Sequence, residues 1–215
     1  MEALGTRPAV YLAGKIDMND WRHVAAPRCG EAWTYAINDR ASPEPLPPWP
    51  VLRQAIHGVM DYTGPFFISC DHGCFHGPGS HGAGQEGCTA LDKEETRAHV
   101  LRQCEVSIGR SDLVFAWLDT TTAYGTLVEI GFARAARKSI LIGMPEDANQ
   151  VDELSEELWF ALKCADLTVS ATTPVEITQR LAKSAELGYA RDWVARSFEG
   201  DASVPGVRIL DRRVR

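Results

Sequence analysis

Apolar residues fall along the chain as short unbroken runs separated by longer stretches of mixed polarity. The first run, Ala9-Val10-Tyr11-Leu12-Ala13-Gly14, stops at a glycine, as a buried strand does before a tight turn. Gly64-Pro65-Phe66-Phe67-Ile68-Ser69-Cys70 reads as a second strand, Leu113 to Leu118 as a third, Ser139 to Met144 as a fourth and Leu167 to Ala171 as a fifth. Between them, apolar positions at helical spacing predict helices. One, over 18–37, is interrupted near Pro27; the next, over 90–109, carries Leu101, Cys104 and Ile108 in register. Helices follow over 126–137 and over 151–164, the latter with Leu154, Leu158 and Leu162 on one face. Thr173-Pro174-Val175-Glu176 starts the last helix, with Thr173 as N-cap, proline at the first helical position and Glu176 closing a capping box.

Strand and helix therefore alternate, and the strands are continuously apolar instead of alternating. Such strands are covered on both faces, so the pattern predicts an α/β fold, a flavodoxin-like three-layer arrangement with a five-stranded parallel sheet. Ligands of such sheets bind beyond the carboxyl ends of the strands at the topological switch point, which selects the loops after Leu12, Ile68 and Leu118. Two stretches break the alternation. Residues 38–89 read as an irregular insertion: five prolines fall within 43–50, and a Gly/His/Cys-rich segment runs from Asp71 to Cys88. Residues 198–215 read as a tail, whose Val207-Arg208-Ile209-Leu210 either reaches a partner chain or docks on its own.

At 215 residues the chain fits a single domain that can bury a continuous core without disulfides. Its 22 Lys and Arg against 29 Asp and Glu give a net charge of −7, which repels polyanions and argues against nucleic-acid binding. No run approaches the ~18 consecutive apolar residues of a membrane span, and the opening residues lack a secretory pattern, so a cytoplasmic protein is expected. In that compartment its six cysteines stay reduced, and clustered ones suggest metal or reactivity. Cys70, Cys74, His76 and Cys88 are a candidate ligand set for one tetrahedral structural zinc, although their spacing matches no standard finger. The same segment also reads as a source of an active-site histidine, His72 or His76, or as a lid.

The stretch richest in chemistry is Ser111-Asp112, then the strand Leu113 to Leu118, then Asp119, a polar loop, and Gly125-Thr126-Leu127-Val128-Glu129-Ile130-Gly131-Phe132-Ala133. A carboxylate in the first turn of a helix is held ionised by the helix N-terminus, and Gly125 lets a ligand approach the backbone. Thr126-Leu127-Val128-Glu129 also spells a capping box, in which the glutamate merely satisfies a backbone N–H. Asp112, at the opposite end of the strand, reads as a structural cap. The loop after the first strand offers Gly14, Lys15, Trp21 and Arg22: the two cations could hold a phosphate, and the indole could stack on a base or fill the core.

The segment GTLVEIGFA, with SDLVFAWLD before it and RKSILIG after it, resembles the signature of the nucleoside 2-deoxyribosyltransferase family, and VYLAG resembles that family's first strand and substrate loop. The likeness covers roughly 8–16 and 90–145. It implies an enzyme acting on a nucleoside or nucleotide, with Glu129 as the nucleophile that attacks the anomeric carbon. It further implies a substrate site containing Tyr11, Gly14, Lys15, Trp21, Arg22, Gly125 and Thr126, no cofactor requirement, and a homo-oligomer. A second carboxyl about 5 Å away would supply general acid and base, as in retaining glycosidases. Asp119, at the strand's carboxyl end, is the candidate, with capping of the next turn as its other reading. Family members carry aspartates where this chain has Ala123 and either Cys104 or Gln103. The competing expectation is a non-catalytic nucleotide-binding or sensing module on the same fold.

Overall fold

A computed structural model describes residues 7–16, 20–30, 48–66, 94–187, 193–198 and 207–212. The strands are β1 (Ala9–Gly14), β2 (Leu52–Ile56), β3 (Met60–Gly64), β4 (Leu113–Trp117), β5 (Ser139–Pro145), β6 (Leu167–Ala171) and β7 (Val207–Arg212). The helices are α1 (Arg22–Ala25), α2 (Glu94–Arg110), α3 (Tyr124–Ala135), α4 (Ala148–Glu157), α5 (Trp159–Leu162), α6 (Pro174–Glu186) and α7 (Trp193–Arg196). A 3-10 turn over Pro27–Gly30 follows α1.

The fold is α/β, but the sheet is not the five-stranded parallel one expected. Seven strands form a mixed sheet in the order β2-β3-β1-β4-β5-β6-β7. Its five inner strands run parallel, while β2 and β7 add antiparallel edges. Edge strands escape an apolar-run criterion because only part of each is buried. Arg53 and Gln54 of β2 are exposed, as are Arg208 and Asp211 of β7. The supposed irregular insertion thus contains a β2–β3 hairpin, turned by His57 and Gly58 at φ 48° and 79°. The second parallel strand lies earlier than predicted: β3 ends at Gly64, and 67–70 lie outside the described residues. Of the two readings of the tail, docking on its own chain holds for 207–212, which pair with β6.

Alternation along β1 shows how the layers form. Val10 and Leu12 join one buried cluster with Phe115, Leu141 and Ile177, whereas Tyr11 and Ala13 join another with Val114, Ile130 and Leu154. Successive residues of a strand face opposite sides, so the clusters lie on the two faces of the sheet, each closed by helices. Each fully buried Leu or Ile contributes roughly 1.5–3 kcal/mol relative to exposure.

The remaining differences are local. The helix predicted over 151–164 starts at Ala148, where the Asp147 side chain accepts from the Gln150 N–H at 3.0 Å, and breaks at Leu158 into α4 and α5. Pro27 ends α1 after one turn, and 31–37 lie outside the described residues. Thr173 caps α6 as predicted, accepting from the Glu176 N–H at 3.4 Å, while the Glu176 carboxylate reaches back to the Thr172 N–H. No helix among the described residues is long and apolar enough to cross a membrane.

Candidate active site

The carboxyl end of β1, the residues after β3, the loop after β4, the start of α3 and the middle of α2 enclose a cavity of about 590 Å3. Gly14 and Lys15 form one side of it, Trp49 and Phe66 another, and Cys104, Gly125, Thr126 and Glu129 line it from the two helices. Trp49 and Phe66 meet edge to face, with centroids 5.4 Å apart. The wall is therefore mostly apolar around one carboxylate.

That carboxylate has a defined partner. The buried Tyr11 hydroxyl donates to Glu129 Oε1 at 2.5 Å, joining β1 to α3 across 118 residues of sequence. Burial lifts the Glu129 pKa from 4.5 to about 7, against the opposing pull of the Tyr11 hydrogen bond and the Arg22 charge. Burial and the neighbouring Glu129 also raise Tyr11 well above its ordinary value of 10. The Cys104 thiol is pushed up to about 12 by burial and by the same carboxylate. At neutral pH, Glu129 is the one member of this trio poised between protonation states.

The start of α3 differs from the sequence expectation in a way that explains this poise. The helix begins at Tyr124 behind Ala123, which offers no side-chain cap, so Glu129 lies in the second turn instead of the first. Thr126 and Glu129 therefore do not close a capping box, and the helix terminus does not hold the carboxylate fully ionised. Distance from the terminal amides weakens the dipole's effect, and desolvation prevails. A Cβ added to Gly125 would meet nothing within 4 Å, so the first turn faces open space at the cavity.

Gly14, Lys15, Gly125, Thr126 and Glu129 thus share one cavity, with Tyr11 bonded to Glu129. Trp21 and Arg22 lie elsewhere. Trp21 packs edge to face on Phe115 at 5.6 Å, and Arg22 is fully buried. The Arg22 guanidinium donates to the carbonyls of Leu12 at 2.7 Å and Gly14 at 2.8 Å, and pairs with Asp20 at 2.7 Å. Asp119 stands outside the cavity wall: its side chain accepts from the Trp117 indole N–H at 3.2 Å, and its carbonyl accepts from the Gln150 amide. Asp112 accepts from the Ala9 N–H at 2.8 Å and so ties β1 to β4. Cys70, Cys74, His76 and Cys88 lie outside the described residues.

Sequence reasoning missed Cys104, Trp49 and Phe66 as cavity residues. Cys104 carries the helical periodicity of a core position, and Trp49 sits in the proline stretch. The exposure of Leu101 and Val128, 48% and 50%, is the sign that the apolar faces of α2 and α3 border a cavity as well as a core.

Compared with known proteins, the chain matches no protein-family model. No curated protein matches its sequence either.

Proposed function

We propose that this protein cleaves or transfers at the N-glycosidic bond of a nucleoside or nucleotide, with Glu129 as the nucleophile. The observation that carries the reading is the Tyr11–Glu129 hydrogen bond in a largely apolar cavity at the junction of β1 and β4. The inner strands, in the order β3-β1-β4-β5-β6, read as a flavodoxin-like core whose switch point falls between β1 and β4. Tyr11 belongs to one of those strands, and Glu129 to the helix that follows the other.

In this mechanism Tyr11 holds Oε1, and the second carboxylate oxygen attacks the anomeric carbon. The C–N bond breaks, its electron pair leaves with the base, and the base takes up a proton from solvent. The resulting glycosyl ester is then attacked by water or by a second base, which returns Glu129 as a carboxylate. The apolar walls strengthen the electrostatics of the step, and Trp49 and Phe66 suit the flat face of a nucleobase. No bound cofactor takes part, and we read the protein as a cytoplasmic homo-oligomer.

A second reading draws on Asp119, which is directed to Trp117 and lies outside the cavity wall. With no partner carboxyl for proton transfer among the described wall residues, the same cavity would serve a nucleotide-sensing module. Incubation with a panel of nucleosides and nucleotides, with and without an acceptor base, separates the two. Free base without acceptor identifies a hydrolase, and exchange only with acceptor a transferase. Saturable binding with no turnover across the panel replaces the enzymatic reading with the sensor.

A further inference from the structure

The cavity edge depends on a group that never reaches the cavity. β1 pairs with β3 only as far as Tyr11 opposite Gly64, yet continues beside β4 to Gly14 opposite Trp117. On the β3 side, no strand among the described residues pairs with the last residues of β1. Leu12 and Gly14, two residues apart, direct their carbonyls to one side of the strand, and Arg22 occupies that side. Its Nε donates to Leu12 and its Nη2 to Gly14, as the amides of a neighbouring strand would. Asp20 fixes the fork, accepting from Nη1 and from the Arg22 backbone N–H at 2.9 Å. The fit is close, since a Cβ on Gly14 would come within 3.0 Å of Nη2.

We propose that Arg22 is a positioning residue for the Glu129 site: its guanidinium bonds the end of β1 as a neighbouring strand would, and so holds Tyr11 and the Gly14 edge in place while setting a fixed positive charge behind the carboxylate. This rests on the reading of Glu129 as the reactive carboxylate. It assigns Arg22 to the scaffold and away from any phosphate of the substrate. A buried, doubly bonded arginine performs such a role better than lysine, because its planar fork makes two directed bonds while staying charged. The ionisable groups around Glu129 are Tyr11 on β1, Cys104 on α2, Arg22 at the start of α1 and Tyr62 on β3. Lys15 lines the same cavity from the loop after β1, and the field of the buried Arg22 favours the ionised carboxylate.

The test uses the ligand-free protein, in which 13C NMR follows the Glu129 carboxyl titration and hydrogen exchange follows residues 12–16. In Arg22→Gln the titration midpoint should rise by at least about half a pH unit, and exchange across 12–16 should accelerate beyond any general loosening. Arg22→Lys keeps a charge but loses the fork. It should leave the midpoint nearer wild type while still speeding local exchange. A folded Arg22→Gln with an unchanged midpoint overturns the proposal, as does unchanged protection of 12–16 in Arg22→Lys. The lysine variant alone decides the matter if the glutamine variant does not fold. Neither readout requires turnover, so a failure of the Arg22 assignment is distinguished from a failure of the enzymatic reading, which the base-release panel tests separately.

Discussion

Two helices leave the carboxyl edge of the sheet with nearly the same sequence signal and opposite structures. At α6, the Thr173 hydroxyl accepts from the Glu176 N–H, Pro174 leaves no amide at the first position, and the Glu176 carboxylate accepts from the Thr172 N–H just before the helix. At α3, Ala123 provides no cap, Gly125 faces open space, and Glu129 is bonded to Tyr11 on another element. Both starts contain a threonine followed three residues later by a glutamate. One uses that polarity to stabilise its own terminus, and the other leaves its terminus open beside a buried carboxylate. A helix start that forgoes local satisfaction in favour of a long-range contact is where a ligand site is to be sought.

The largest expected break between the two is in turnover. In the enzymatic reading, Glu129→Ala should lower base release by several orders of magnitude, while Glu176→Ala leaves it intact. Base release measured beside thermal melting checks this, and full activity in Glu129→Ala would return that residue to a structural role.

The second difference is in pH dependence of stability. The folded state binds the Glu129 proton more tightly than the unfolded chain, because burial lifts its pKa from 4.5 to about 7. Stability from this group is therefore lost as pH rises through that window. Glu129→Gln should be more stable than wild type by roughly 3 kcal/mol near pH 8, with the gap closing below about pH 4.5. Urea unfolding at several pH values measures it, and a gap that does not vary with pH contradicts the raised pKa. In the enzymatic reading, base release rises with pH through about 7, since attack needs the ionised carboxylate.

A third comparison sets two glycines side by side. A Cβ on Gly143 would come within 2.6 Å of Ile177 Cδ1 on α6 and 3.0 Å of Phe115 and Trp117. Gly143→Ala should cost about 1–3 kcal/mol by overpacking. Gly125→Ala meets no neighbour, so its melting temperature should hold while affinity for a nucleoside falls. Equal melting losses in the two would erase the distinction between a glycine packed under α6 and one facing open space.

The smallest effect belongs to the capped helix. Thr173→Ala should lower stability by about 1 kcal/mol and leave base release unchanged, as denaturant unfolding and the activity assay would show together.

How far the sequence reveals this structure follows from what each part buries. β1, β4, β5 and β6 lie inside the sheet with nearly every residue covered, so they appear as unbroken apolar runs. β3 is equally buried but contains Asp61, Tyr62 and Thr63, whose polar atoms find partners inside, and its signal disappears. The position of Glu129 could be read from a local motif, whereas its environment could not. Tyr11 and Cys104 come to it from remote segments. Arg22 was misleading for a general reason: a cation beside a ligand loop is usually solvated or ligand-bound, and only tertiary structure reveals that backbone carbonyls and Asp20 have consumed it.

The antiparallel margins bear on behaviour at high concentration. A sheet whose outermost strands were as apolar as β4 would offer unpaired amides and carbonyls to the next molecule, a template for runaway association. Here one margin carries Arg53 and an irregular register against β3, with Gln54 at φ 55°, and the other carries Arg208 and Asp211. Charge and a kinked ladder both discourage stacking of one copy's edge on another's. Replacing Arg53 and Arg208 with valine would turn these margins into adhesive surfaces and shorten the time the protein stays in solution.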